Sequence, residues 1–168
     1  MPHLFALDQN FPEPIARALQ EHLEENVELV PIRRIDARLP AFEDWQILHA
    51  LHVHGRPWDG LITTDANMLS LPRELSVLCQ IHLSFVVAIA AGHDPIKATG
   101  LVLAHIGAIC SRTRADTAQV WRLRTTAKQP EDPWQFITEL AGRREEDATG
   151  LYRRERLAPA QLHSDPLA

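Results

Sequence analysis

The chain predicts an α/β protein, a three-layer α/β/α arrangement around a central, mostly parallel sheet of about five strands. Two observations predict it. Short apolar runs alternate with segments of helical period up to Thr125, and such alternation builds parallel sheets covered by helices on both faces. The runs also stop abruptly at turn or helix-start chemistry, twice on an aspartate. The hydrophobic share of 45% over 168 residues suits one folded domain with a sizeable core and a tail.

"LFAL" (4–7) is short, apolar and followed by turn residues, as a buried strand requires. "PEPIARALQEHLEE" (12–25) sets Ile15, Leu19 and Leu23 on one helical face, with Pro12 and Pro14 confined to the first turn. "VELVPI" (27–32) reads as the second strand and 33–43 as an irregular connection. "DWQILHALHVHG" (44–55) reads as a helix with Trp45, Leu48 and Leu51 inward and Gly55 as its stop. "DGLITT" (59–64) is a third strand running into Asp65, and 66–78 holds one or two helical turns. "IHLSFVVAIA" (81–90) is the most apolar strand, followed by a helix over 94–109 that Asp94-Pro95 starts well. "AQVWRLRT" (118–125) suits an edge strand. The expected division is an α/β domain over 1–128 and a charged, partly helical tail over 129–168. That tail has a helix around Trp134, Phe136, Ile137 and Leu140 and frayed residues 158–168.

Charge and composition narrow the function. A formal net charge of −5 supplies no bulk positive field for nucleic acid or anionic membrane, so any such contact needs a local basic patch. Cys79 and Cys110 stand in apolar surroundings without metal-ligand spacing and read as buried thiols of a reducing compartment. No basic-then-apolar leader is visible at the N-terminus, and the run 83–91 is too short to span a bilayer. A cytoplasmic protein is expected.

Three carboxylates fall on one edge of the expected sheet. Asp8 ends the first strand, Asp65 ends the third, and Asp44, beside Glu43, begins the helix between the second and third. Sites in open parallel sheets lie beyond the carboxyl ends of the strands. Clustered carboxylates resist ionising together, and a divalent cation relieves that repulsion; oxygen-only ligands select Mg²⁺ or Mn²⁺. Asp44 and Asp65 also admit a plainer reading as helix caps that need no metal.

At these residues the chain resembles the PIN-like nucleases. "ALDQNFPEPIARAL", "EDWQILHAL" and "GLITTDANML" are similar to the first-strand Asp-Glu-Asn-Pro, the acidic helix start and the third-strand Thr-x-Asp of small stand-alone members. By motif the resemblance covers about residues 4–70. It implies a Mg- or Mn-dependent ribonuclease, often the toxin of a bacterial toxin–antitoxin pair, with RNA as substrate and an antitoxin protein or a second copy as partner. Asp8, Asp44 and Asp65 match the acidic cluster, and Asn10 and Thr63 match residues around it. Two positions depart: Gln9 stands where Glu is usual, and Asn67 where a second Asp is common. Asn67 can still offer a carbonyl oxygen, and Asn10, Thr63 and Asn67 would orient ligands or water around the cation.

Other signals are weaker. His49, His52 and His54 invite a zinc reading, but no further ligand completes it, and a half-buried helix face is the better account. His93 and His105 stand alone, and Asp94 is best read as a cap. Arg33, Arg34 and Arg38 lie in the connection towards the acidic rim and are placed to hold a phosphate backbone. A phosphoacceptor domain is a poor fit, because only Asp8 ends the first strand and Lys128 matches its lysine badly. The remaining alternative is a non-catalytic PIN-like binding or scaffold protein, which Gln9 and Asn67 favour.

Overall fold

A computed structural model of the chain describes residues 1–11, 13–23, 26–125 and 129–168. Pro12, the last two residues of the expected first helix and Lys128 lie outside the described residues. Five strands, β1 (His3–Leu7), β2 (Val27–Pro31), β3 (Gly60–Thr63), β4 (Ser84–Val87) and β5 (Gln119–Arg122), alternate with helices. These are α1 (Glu13–His22), α2 (Ile32–Ile35), α3 (Asp44–Val53), α4 (Pro72–Gln80) and α5 (Pro95–Arg112). Three more close the chain: α6 (Pro133–Arg143), α7 (Ala148–Glu155) and α8 (Pro159–Leu162). The connection read as irregular contains α2 and a 3₁₀ turn at Leu39–Ala41. The short segment after Asp65 resolves into a 3₁₀ turn at Ala66–Ser70 and all of α4, which Pro72 opens at the position where its missing N–H costs nothing.

The sheet runs β2-β1-β3-β4-β5, and every pair is parallel. Successive strand residues point to opposite faces, and here they feed two separate apolar layers. Leu4, Ala6, Leu61, Phe85, Val87 and Val120 join the layer that holds α3, α4, α6 and α7. Phe5, Leu7, Ile62, Val86 and Trp121 join the layer that holds α1 and α5. The result is the three-layer α/β/α fold, with the parallel strands covered on both sides as such sheets require. Among the described residues no helix is long and apolar enough to cross a membrane.

One glycine sets the spacing of the central strands. A Cβ on Gly60 would lie 2.1 Å from the Ser84 carbonyl oxygen and 3.1 Å from the Phe5 ring. Neither the β4 backbone nor a fully buried ring can yield easily. Gly60→Ala is therefore expected to cost about 3 kcal/mol, read as a fall in the urea midpoint without loss of native-like circular dichroism.

The helix expected around Trp134 is α6, but the region beyond it packs into the core, including residues 158–168 expected to be frayed. Phe136, Ile137, Leu140, Leu151, Leu157 and Leu167 are buried in the same apolar layer as β1 and β3. Polar ties add to this: Arg73 donates to the Glu155 carbonyl at 2.8 Å, and the Gln80 side chain both donates to and accepts from Leu157. Arg38 donates to the Leu167 carbonyl at 2.7 Å. The charged run hid this because its apolar residues are widely spaced and their partners are distant in sequence.

Candidate acidic site at the switch point of the sheet

The strand order reverses between β1 and β3, since β2 lies to one side of β1 and β4 to the other side of β3. In open parallel sheets the crevice for ligands forms at such a switch point, beyond the carboxyl ends of the strands. Asp8 follows β1 directly, and Asp65 stands two residues past β3. The two therefore flank the switch point.

Asp8 is 5% exposed and is held from three sides. Its Oδ1 accepts the Gln9 backbone N–H at 2.7 Å; its Oδ2 accepts the Thr63 hydroxyl at 2.8 Å and the Asn10 side-chain amide at 3.1 Å. Thr63 Oγ1 in turn accepts the Asp65 backbone N–H at 3.0 Å, so one buried hydroxyl ties the ends of both strands. Burial pushes the Asp8 carboxyl above the usual carboxylate range, and the Asp65 charge adds to the push; the hydrogen bonds oppose it. Asp65 Oδ1 accepts the Asn67 backbone N–H at 2.8 Å and caps the 3₁₀ turn, as its plainer reading required.

Asp44 is not the cap of α3. Glu43 holds that position, with Gln46 returning its side-chain oxygen to the Glu43 N–H at 2.9 Å, and Asp44 stands in the first turn. Among the described residues the Asp44 carboxylate makes no hydrogen bond. Burial raises its pKa first, followed by the charges of Asp8, Asp65 and Glu43. Asp44 thus belongs to the same electrostatic neighbourhood as the two strand-end aspartates. Glu74, on the first turn of α4, belongs there too: burial raises its pKa, and Asp44 and Glu43 add to the rise. Sequence reading missed Glu74 because α4 looked like one or two turns. The available signal was Leu71-Pro72, a helix start two residues ahead.

The oxygen donors suit a hard divalent cation in chemistry. Among the described residues, however, no three His, Cys, Asp or Glu side chains close on one point as a metal shell would. Asn10 stands directly on Asp8, while the contact Asn67 makes with the site is its backbone N–H on Asp65.

The arginines separate. Arg33 lines a cavity beside Asp8, and Arg34 lines a smaller one with Arg17 and Gln20. Arg38 is committed to Asp36, through Nε at 3.0 Å and Nη2 at 2.8 Å, and to Leu167. The histidines of α3 and its cap do not converge. His49 Nε2 donates to the Leu162 carbonyl at 3.0 Å, His54 Nδ1 meets Asp165 at 2.6 Å, and His52 stands edge-on to His82. Asp94 caps α5 by accepting the Ile96 and Lys97 N–H groups. Both cysteines are free thiols, and burial pushes Cys79 up to about 12. A further cavity of about 560 Å³, between Cys79, Gln119, Trp134 and Tyr152, opens at the opposite edge of the sheet from the carboxylates.

The raised carboxylates make stability depend on pH. Asp8, Asp44 and Glu74 hold protons in the folded chain at a pH where the unfolded chain has released them. Stability therefore falls as pH rises from about 4, the unfolded carboxylate value, through the folded ones. Asp36, held down to about 2 by Arg38, acts below that window, as do Glu28 beside Arg56 and Asp165 beside His54. His52, lowered by burial, acts in the opposite sense as pH rises towards about 6.5. Comparison with Asp44→Asn isolates the rim. In urea denaturation the variant is expected to gain on the native chain as pH rises from about 4 to about 7. A difference that does not change with pH would show that Asp44 ionises normally.

Compared with protein-family models, curated proteins and solved structures, the chain matches none.

Proposed function

We propose that the chain is a PIN-like, divalent-metal-dependent endoribonuclease whose acidic centre is Asp8, Asp44 and Asp65. The observation that carries this reading is the placing of Asp8 and Asp65 beyond the carboxyl ends of β1 and β3 at the switch point of the sheet, with Asp44 near enough for their charges to raise its pKa. A fold gains nothing in stability by burying Asp8 and half-burying Asp44 where neighbouring carboxylates raise their pKa further, and a resident cation is a common reason for doing so. Drawn closer than their present spacing, which closes on no metal shell among the described residues, Asp8, Asp44 and Asp65 would hold Mg²⁺ or Mn²⁺, which supplies Lewis-acid stabilisation of phosphoryl oxygen charge and a more acidic water. Thr63 and Asn10 fix the Asp8 carboxylate in one orientation. Asn67 steadies Asp65, and Arg33 brings positive charge to the cavity at the rim. A toxin role, with an antitoxin protein or a second copy as partner, belongs to the same proposal, as does a cytoplasmic setting.

The test is cleavage of single-stranded RNA with Mn²⁺, with Mg²⁺ and with chelator. Expected is metal-dependent cleavage by the native chain, lost in Asp8→Asn and Asp65→Asn variants that keep the native circular dichroism. A second reading, a non-catalytic PIN-like binding or scaffold protein, is favoured by the chain's own donors, which already meet both Asp8 oxygens and take three of their roughly four acceptor sites. It expects a folded chain with neither cleavage nor metal affinity, and that result would replace the first reading.

A further inference from the structure

Asp8 faces a second feature besides the other carboxylates. A cavity of about 520 Å³, within the range of small-molecule pockets, is walled by Phe11, Pro31 and Ile32 and edged by Asp8, Gln9 and Arg33. It lies on the β2 side of β1, whereas Asp65 follows β3 on the other side. Asp8 is therefore shared between the cavity and the acidic rim.

Gln9 is the polar group left over. Its backbone N–H is taken by Asp8, but its exposed side-chain amide has no hydrogen-bond partner among the described residues. The neighbouring Asn10 amide, by contrast, is engaged with Asp8. A free carboxamide offers a donor and an acceptor in one plane, which is the complement of an adenine edge. Apolar walls suit the faces of a heterocycle, and an uncharged base fits between Asp8 and Arg33 without charge repulsion from either.

We propose that this cavity is a nucleobase subsite in which Gln9 reads the polar edge of an unpaired adenine. The nucleotide seated there directs its phosphate towards the Asp8, Asp44 and Asp65 rim. The nucleotide identity of the ligand rests on the ribonuclease reading; the subsite itself needs no metal and no cleavage.

The experiment titrates the full chain with adenosine, uridine and ribose 5-phosphate in the presence of chelator, followed by two-dimensional amide NMR. Gln9→Leu, a change at an exposed position, is measured alongside. Expected is saturable adenosine binding that shifts Gln9 and Phe11 resonances, weaker uridine binding, and none by ribose 5-phosphate. Gln9→Leu is expected to weaken adenosine binding about tenfold or more. Absence of saturation by millimolar adenosine would overturn the subsite, as would unchanged binding in Gln9→Leu or equal binding of ribose 5-phosphate. Cleavage of RNA is read separately with Mn²⁺. Adenosine binding without cleavage retains the subsite and removes the nuclease, while cleavage without adenosine binding does the reverse.

Discussion

Asp8→Asn is expected to weaken Mn²⁺ binding at least 100-fold in calorimetry, and Asp65→Asn to do the same. Two unit charges about 4 Å apart at an effective dielectric near 20 interact by about 4 kcal/mol, so one lost carboxylate outweighs any single neutral contact. The Asn side chain matches Asp in shape and keeps an oxygen for the Thr63 hydroxyl, but its NH2 group faces the Gln9 N–H, so native-like circular dichroism is checked before lost affinity is assigned to the lost charge. Thr63→Val leaves every charge in place and removes only the hydroxyl that steadies Asp8 and the Asp65 N–H. Its expected effect is smaller, about 10- to 100-fold. Equal affinities in the native chain and Asp8→Asn would place any bound metal elsewhere.

Ending the chain after Thr125 is expected to abolish the cooperative thermal transition. The truncation removes Phe136, Ile137, Leu140, Leu151, Leu157 and Leu167 from the core, each worth roughly 1.5–3 kcal/mol of burial. It also strips the cover from α4, which packs against both α6 and α7. Relief of the tail's own ordering entropy offsets part of this. The exposed face of α4 and of the sheet still has nothing to bury it, and typical domain stability is only about 5–15 kcal/mol. Dye binding to exposed apolar surface, with broad loss of near-ultraviolet circular dichroism, is the expected reading. A truncated chain melting as the full chain does would mean that the C-terminal helices are bystanders.

What could be read in advance follows from how local each signal is. The strands announced themselves because a parallel strand buried on both faces is a continuous apolar run, as "LFAL" and "SFVV" are. Asp8 and Asp65 were legible because each stands just past the end of such a run. The reversal of strand order between β1 and β3 was not legible, since it depends on which runs pair. Glu74 was hidden for a related reason: it meets Asp44 only because α3 and α4 lie side by side. The histidines of the 44–55 segment misled towards a shared ligand set. Their bonds instead go to Leu162 and Asp165, more than a hundred residues away in sequence and out of reach of any local pattern.

α3 has a mechanical consequence. It is 10 residues long, a rod of about 15 Å, with Asp44 in its first turn and His54 at its closing end. His49 and His54 pin the final residues of the chain to the far half of that rod, and Arg38 pins Leu167 from the preceding loop. A load applied at the C-terminus, whether a fused tag or a surface tether, therefore acts as torque on the helix that aims Asp44. Immobilisation through the N-terminal Met1, which is fully exposed, leaves that rod unloaded.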